Sequence, residues 1–579
     1  MSNPAIQASK EALIKLYKVI DNNQSFRFEA GAGAGKTYSL IKALHYLMQI
    51  KSLSLSKNNQ QIACITYTNV AVKEISSRTD NHPIIFAGTI HSFCWSIIKD
   101  LQKQMRIIIP TLSDNWKNRV EESGGIKEQV VKYDLGYPSC SEKEISLYHD
   151  DVIRIFSTLL ANAKFKALLY SKYPMIFIDE YQDTNKLLAE SIVTKLIVND
   201  SRFMVGFFGD HWQKIYGTGT FAFFDTAKDK ITEISKNANF RSDNNIVQSL
   251  NKIRTELPQN PQDPDSLGEI NIFITNSWRG NRRTGGHWQG DLPADIAHNY
   301  LIDVRARLEK SGWDFDPLKT KILMLTNNVL AEEQGYRNLA SIFTNTDDYL
   351  KKNDNYISFL IDVVEPICES FENKKYGEMF KYITAGTVSI NKHDDKKVWN
   401  NAIKRLIEIR KSGTIGDVID YLKITEKPKV SINLESIEIR YGQLKSVAEM
   451  EEENKSFYDK ITQIRSTPYS ELIALSKYLD DETPFSTKHG VKGAEFENVL
   501  VVLGRGWNNY NWNDFLEWSN SGVVKGREEA YERNRNLFYV SITRSQKRLA
   551  LLFTQSLSTS ALTILKTWFG EDNIKDISL

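Results

Sequence analysis

Residues Ala30–Thr37 read AGAGAGKT, and the reading of this stretch decides the fold. A short apolar-alternating run, Ser25 to Glu29, precedes it, and a helical run, YSLIKALHYLMQI, follows it. Strand, glycine-rich loop, then helix is the context that a phosphate-binding loop requires. Gly31, Gly33 and Gly35 let the backbone turn tightly and bring its N–H groups against phosphate oxygens. Ala30, Ala32 and Ala34 alternate with them as the rest of the loop. Lys36 is placed to reach β and γ phosphates, and the Thr37 hydroxyl to hold Mg2+. The following helix aims its positive end at the same anion. The general pattern G-x-x-x-x-G-K-S/T has glycine first, where this chain has Ala30.

The chain has 579 residues, enough for three or four domains by the ordinary size of about 150 residues each. Hydrophobic content of 41% and charged content of 25% are those of a soluble globular protein. Lys plus Arg, at 74, nearly balances Asp plus Glu, at 72, so a nucleic-acid partner would need a local basic groove. Cys64, Cys94, Cys140 and Cys368 are far apart and form no C-x-x-C pair, which leaves neither a zinc site nor a disulfide framework to expect. The stretch MSNPAIQASKEAL lacks the apolar core of a signal peptide. No apolar run reaches the length of a membrane span, about 18 residues. The expected setting is the cytoplasm.

Residues 5–20 carry apolar positions at helical spacing. Gln7 in this helix either reads an adenine edge or is a solvated glutamine. The segment QIACITYT is a buried-strand pattern that ends in Thr66, Thr68 and Asn69, and ligands of open α/β sheets bind at such strand ends. A further short strand, IIFAGTIHSF, runs into Thr89 and His91. Residues 100–170 lose the strand–helix alternation and read as a helical insertion. The sheet resumes with MIFIDEYQD, 175–183, an apolar strand ending in carboxylates. Asp179 can hold Mg2+ opposite Thr37, and Glu180 sits where a general base orients or deprotonates water.

FMVGFFGD, 203–210, is another buried strand, and Gln213 just beyond it is placed to sense a γ phosphate. ITEISKNANFRS puts Phe240 and Arg241 after the next strand, and LPQNPQDP, 257–264, reads as the linker between two halves. The second half opens with EINIFIT and KILMLTN. The segment between them, SWRGNRRTGGHWQG, is either a solvated loop or a surface that stacks on bases. Residues 345–470 read as a second helical insertion, after which VLVVLG and RLALLF restore strands.

Taken in order, these segments resemble the UvrD/Rep/PcrA group of superfamily 1A DNA helicases. AGAGAGKT resembles motif I of that group, including the initial alanine. TYTNVAVKEISSR resembles motif Ia, GTIHSF motif Ib, IFIDEYQDT motif II and GDHWQKIYG motif III. NFRS resembles motif IV, TKHGVKGAEF motif V and NLFYVSITRS motif VI. The resemblance implies an α/β fold of two RecA-like P-loop NTPase domains, parallel sheets flanked by helices, each with a mainly helical insertion. The expected bounds are 1–99 and 171–256 for domain 1A, 100–170 for 1B, 265–345 and 471–579 for 2A, and 346–470 for 2B.

It further implies ATP and Mg2+ as cofactors and 3′ to 5′ movement on single-stranded or partly duplex DNA. Carried over by position, Lys36 and Thr37 bind phosphates and Mg2+, Asp179 binds Mg2+, and Glu180 is the base. Gln213 couples the γ phosphate to DNA, and Arg241 and Arg544 are arginine fingers. Glu495 contacts the ribose or triphosphate region, and Tyr38 and Phe240 sandwich adenine. Thr66, Asn69, Thr89, His91, Thr487 and His489 line the single-strand track. Three departures stand out: Tyr38 replaces a usual arginine, Ala494 a usual leucine, and YGTGTFAFF a usual Trp-Arg-Gly-Ala, leaving Phe221, Phe223 or Phe224 as stand-ins for the stacking tryptophan. The compact size also resembles helicase-like subunits of Gabija-type anti-phage systems, which accompany a nuclease; a nuclease subunit is therefore a second expected partner, for a DNA-sensing regulatory ATPase.

Overall fold

The structure is a computed structural model that describes residues 3–579 apart from 135–136, 201, 216–223, 225–226, 286–288, 384–391, 448, 489 and 505–509. After a first helix, α1 (Pro4–Asp21), come β1 (Ser25–Ala30), α2 (Lys36–Lys57), β2 (Ile62–Thr66), α3 (Asn69–Arg78), β3 (Ile85–Thr89) and α4 (Ile90–Ile98). An insertion holds β4 (Val130–Tyr133), β5 (Ser139–Cys140) and β6 (Glu144–Leu147) among helices. The chain then returns with β7 (Met175–Asp179), β8 (Met204–Gly209) and β9 (Ile231–Lys236).

The first sheet has the order β3-β2-β7-β8-β1-β9, every pairing parallel. Strands β2, β7 and β8 are mostly apolar and buried along their whole length because both faces are covered. Phe177 of β7 points into a core with Leu16 of α1 and Leu44 of α2. Its neighbours Ile176 and Ile178 point the other way, into a core shared with Phe93 of α4 and Phe156 of the insertion. The carboxyl ends of β1, β7 and β8 lie side by side, with Glu29 level with Gly209 and Asp179 with Phe208. This sheet edge receives the glycine-rich loop.

The insertion departs from a purely helical reading, because β4, β6 and β5 form a small sheet. Each strand is two to four residues long, too short to leave a periodic signal. The proline-bearing segment 257–264 is likewise more than a linker. Within it β11 (Asn260–Pro261) pairs in parallel with β10 (Ala238–Asn239), and Leu257 and Gln259 are buried.

The second sheet, also all parallel, has the order β14-β13-β15-β16-β12-β17. Its strands are β12 (Glu269–Ile274), β13 (Thr320–Met324), β14 (Phe485–Thr487), β15 (Phe496–Leu503), β16 (Ser545–Phe553) and β17 (Ile574–Asp576). One face, with Ile322, Leu500 and Leu552, shares its core with the helical insertion through Leu360, Ile403 and Leu434. The other, with Ile272, Leu323, Val501 and Leu551, meets Ala32 of the loop and Trp212. The second sheet's unit therefore packs directly on the first unit's loop.

A buried ion pair braces the second insertion. Arg410 donates from Nε to Glu365 Oε1 at 2.9 Å, and the Tyr469 hydroxyl donates to the same oxygen at 2.8 Å. Removing one partner of a buried pair strands the other charge, so Glu365→Ala is expected to destabilise the protein by about 3–5 kcal/mol. Urea denaturation followed by tryptophan fluorescence checks this, and a loss below about 1 kcal/mol would show the pair to be solvated.

Candidate active site

The loop is shaped by close approach. Gly33 and Gly35 have φ of 74° and 72°, the left-handed region that favours glycine. A Cβ on Gly33 would lie 2.8 Å from Arg241 Cβ and from Asn239 Oδ1. Asn239 is itself fixed, since its Oδ1 accepts from the backbone N–H groups of Arg241 and Ser242 at 2.9 Å each. Gln259 donates from Nε2 to Ala32 O at 3.0 Å and to Ala238 O at 2.9 Å, holding the loop from below. Ala30, Ala32 and Ala34 are buried, so the loop has no room for larger side chains there.

Lys36 opens α2 and pairs with Glu180, Nζ to Oε2 at 2.9 Å. Glu180 follows β7 with φ of 50°, a left-handed residue that is not glycine, which costs about 1–3 kcal/mol and belongs with functional sites. Burial works to raise the Glu180 pKa, but Lys36 and Lys492 outweigh it and hold the carboxyl below its ordinary value. Asp179 behaves oppositely. Burial and the adjacent Glu180 push it up to about 7 against the pull of Lys36. Asp179 Oδ1 is buried without a hydrogen-bond partner. An orphaned carboxylate oxygen at the end of β7 and the Thr37 hydroxyl in the first turn of α2 are donor types suited to a hard divalent cation.

Asp210, fully buried after β8, is the hub of a network. It accepts from Arg254 Nη1 at 2.6 Å, from Gln213 Nε2 at 2.8 Å and from Trp212 N at 3.1 Å. Its own N–H donates to Gln182 Oε1 at 3.0 Å, and Gln182 Nε2 donates to Glu180. Arg544 Nη2 reaches Gln213 Oε1 at 3.5 Å. A continuous chain thus runs from Lys36 through Glu180, Gln182, Asp210 and Gln213 to Arg544 in the second unit. Glu29, Asp210 and His211 cluster as metal ligands can, but Arg254 already supplies the positive charge there, 2.6 Å from Asp210 and 4.0 Å from Glu29.

The two arginines differ. Arg241 donates from Nε to Glu495 Oε2 at 2.7 Å and from Nη1 to Thr543 O at 2.8 Å. Arg544 is 1% exposed, and its hydrogen-bond acceptors among the described residues are neutral: Val540 O at 2.9 Å, Ala494 O at 3.2 Å, Thr543 Oγ1 and Gln213 Oε1. Burial and the neighbouring Arg241 lower it to about 9. Lys492 and Asp183 add a cross-unit ion pair at 2.6 Å.

Tyr38 and Phe240 stand at the loop's outer end, 49% and 36% exposed. Gln7 is exposed on α1 and donates to Glu11 at 2.8 Å on the same helix. Thr66 is buried at the end of β2, level with Thr89 of β3. Asn69, exposed, begins α3, and Thr89 caps α4 by accepting from Ser92 N at 3.3 Å. His91, half-buried, lies against His149 of the insertion, ring centroids 4.7 Å apart. Thr487 ends β14 and accepts from Gly490 N at 3.0 Å. His489, Phe221 and Phe223 lie outside the described residues. Phe224 is no exposed stacking platform, since it is buried against Tyr181 and Phe207. In the segment 277–290, Arg282 ties the carbonyls of Thr275, Gly290 and Thr554 together, the role of an internal brace.

Sequence reasoning missed Asp210, Arg254, Gln259, Lys236 and Lys492. Asp210 and Lys492 stood inside quoted motifs; the other three carried no local signal. The AAA domain family matches residues 18–219, and the UvrD-like helicase C-terminal domain matches residues 306–556. With the two parallel sheets and the loop, these matches assign the chain to the UvrD-like helicases: two RecA-like domains with insertions, a helicase-like ATPase. Along its length it is similar to the Gabija protein GajB of Bacillus cereus (strain HuB5-5), 24% identical over 97% of this chain and 97% of that protein. The ATP-dependent DNA helicase PcrA of Staphylococcus epidermidis (strain ATCC 12228 / FDA PCI 1200) is 26% identical over 39% of this chain and 37% of that protein, and PcrA of Staphylococcus aureus (strain COL) matches to the same extent. No helix among the described residues is long and apolar enough to cross a membrane.

Burial holds Lys236, at the end of β9, down to about 8. Its folded value lies below its ordinary one, so the unfolded chain binds more protons between about pH 8 and 10.5. Its contribution to stability therefore improves as pH rises through that window. The difference in denaturation midpoint between the native protein and Lys236→Met should shift in the native protein's favour from pH 7.5 to pH 10; a constant difference would show the ammonium to be solvated.

Proposed function

We propose that the chain is an ATP-dependent 3′ to 5′ translocase and helicase on single-stranded DNA. The observation that carries this is the chain of contacts from Lys36 to Arg544, because it links the phosphate end of one unit to a guanidinium in the other. Lys36 and the loop N–H groups hold the triphosphate, and Thr37 and Asp179 hold Mg2+, which neutralises charge on the phosphates when bound. Engaging phosphate takes Lys36 from Glu180 and frees that carboxylate to orient and deprotonate the attacking water. Arg241 and Arg544 stabilise the developing charge, and Gln213 reports it through Asp210. Glu495 holds Arg241 in place and contacts the ribose or triphosphate region. Tyr38 and Phe240 form the base slot, while Gln7, turned to Glu11, reads the adenine edge only after exchanging that bond. Thr66, Asn69, Thr89, His91, Thr487 and His489 form the strand track, with domain bounds as the sequence suggests. Closure on ATP and release after hydrolysis then ratchet a strand along the track.

A second reading is favoured by the similarity to GajB over 97% of the chain and by the burial of Phe224, which takes that ring out of the candidates for base stacking. In it the chain is a DNA-sensing ATPase, cytoplasmic, that controls a partner nuclease in phage defence and unwinds weakly by itself.

Two measurements test these readings. ATP hydrolysis should be stimulated by single-stranded DNA, with stimulation falling as salt rises because phosphate contacts release counterions. Lys36→Ala and Glu180→Gln should each lower turnover by about 100-fold or more, with Glu180→Gln still binding ATP. Hydrolysis indifferent to DNA at every salt concentration would remove the translocase reading. Strand displacement should proceed from a 3′ overhang and not from a 5′ one; a 5′ preference would reverse the assigned polarity. Unaided unwinding of long duplex would count against the regulatory reading, and a co-purifying nuclease would support it.

A further inference from the structure

Lys236 is a buried cation that none of the motifs assigns. It ends β9 level with Ala30, the residue that enters the loop. Its side chain runs beneath the loop to the far side, where Nζ donates to Gly35 O at 3.2 Å and to Ser39 Oγ at 2.9 Å. The same ammonium lies 5.5 Å from the ring centroid of Tyr38 and 5.7 Å from that of Phe240. A Cβ built on Gly35 finds all three together: Lys236 Nζ at 3.6 Å, Tyr38 Cβ at 3.8 Å and Phe240 Cδ2 at 4.0 Å. The last glycine of the loop, the ammonium and two part-exposed rings therefore meet at one point.

Lys236 is fully buried, and the partners it has among the described residues are a carbonyl, a hydroxyl and two ring faces, with no carboxylate. Burying an ammonium without a counter-ion is costly. Ring faces attract a desolvated cation, so the charge is held by the two rings as much as by the loop. Both rings are part-exposed. Tyr38 also faces Lys42, whose Nζ is 5.4 Å from its centroid, so the ring is gripped by cations from its own helix and from β9.

We propose that Lys236 is the positioning residue of the nucleobase slot: its ammonium fixes the spacing and tilt of Tyr38 and Phe240 relative to Gly35, and so sets affinity for the base of the nucleotide while leaving the phosphate steps alone. The proposal rests on the reading of the cleft as a nucleotide site. It also gives the sequence departure at Tyr38 a physical content. Where an arginine is usual after the loop, this chain has an aromatic ring with the cation supplied from a neighbouring strand.

The test compares two probes by calorimetry: ADP, which has a base, and inorganic tripolyphosphate, which has none. Lys236→Met is expected to weaken ADP binding about tenfold and to leave tripolyphosphate binding unchanged. In turnover it should raise KM for ATP and leave kcat within about twofold, and Lys236→Arg should recover part of the lost affinity. A merely structural lysine would not separate the two probes. Parallel loss of both, or a fall in kcat at constant KM, would overturn the proposal. Should Lys236→Met not fold, the cycle of Tyr38→Leu, Lys236→Arg and the double variant reads the same contact. Coupling of at least about threefold in ADP affinity is expected, and strict additivity would overturn it. Native protein that binds ADP without hydrolysing ATP would sink the turnover assignment and leave this one standing. Native protein that binds neither probe would remove both.

Discussion

The structure depends on how it neutralises charge in its interior. Asp210 is fully buried and tolerable there because Arg254 meets it at 2.6 Å and Gln213, Gln182 and the Trp212 N–H complete its bonds. Lys36 and Glu180 neutralise each other in the same way. Two groups close to Glu180 are left unbalanced: Asp179 with an orphaned oxygen and Arg544 with neutral acceptors. They belong to a single cleft. One acid lacking a cation and one cation lacking an acid are the complement of a polyphosphate with its divalent ion. A site built only for stability would have paired them.

The same accounting links the two units. Arg241 of the first meets Glu495 of the second at 2.7 Å, Lys492 of the second meets Asp183 of the first at 2.6 Å, and Tyr539 of the second lies within 3.4 Å of Arg254. Each pair has one member next to a residue that would hold phosphate or metal. Events at the phosphates are thus electrostatically visible across the junction without any long-range deformation. The junction also has an apolar component, since Ala32 and Trp212 share a core with Val501 and Leu551.

Much of the architecture was legible in the chain because it is written locally. A buried parallel strand is a short apolar run, and a loop that must adopt φ near 70° needs glycine where Gly33 and Gly35 stand. Carboxylates at strand ends, such as Asp179 and Glu180, announce a site by position alone. What stayed hidden is set by tertiary contact. Gln259 binds a carbonyl 227 positions earlier, and Arg254 meets an aspartate 44 positions away. Nothing near either residue marks it. The small sheet of β4, β6 and β5 escaped because each strand buries too little to show a period. Phe224 looked available as a stacking ring because it follows motif III in the chain, yet it fills a core behind Tyr181.

The Lys36–Glu180 pair gives the cleft its direction of operation. In the present arrangement Lys36 neutralises Glu180, which on the proposed function keeps that carboxylate from acting as a base. A phosphate that draws Lys36 away removes one of the two cations that hold the Glu180 pKa down, leaving Lys492 as the other. Basicity then rises when a substrate is present to use it. Lys492 is itself tied to Asp183, so the residual bias on Glu180 depends on how closely the two units sit. Withdrawal of Lys36 and approach of Lys492 therefore act on one carboxylate in opposite directions. On the proposed function, that is how two sheets joined by a few ion pairs would share a single chemical step.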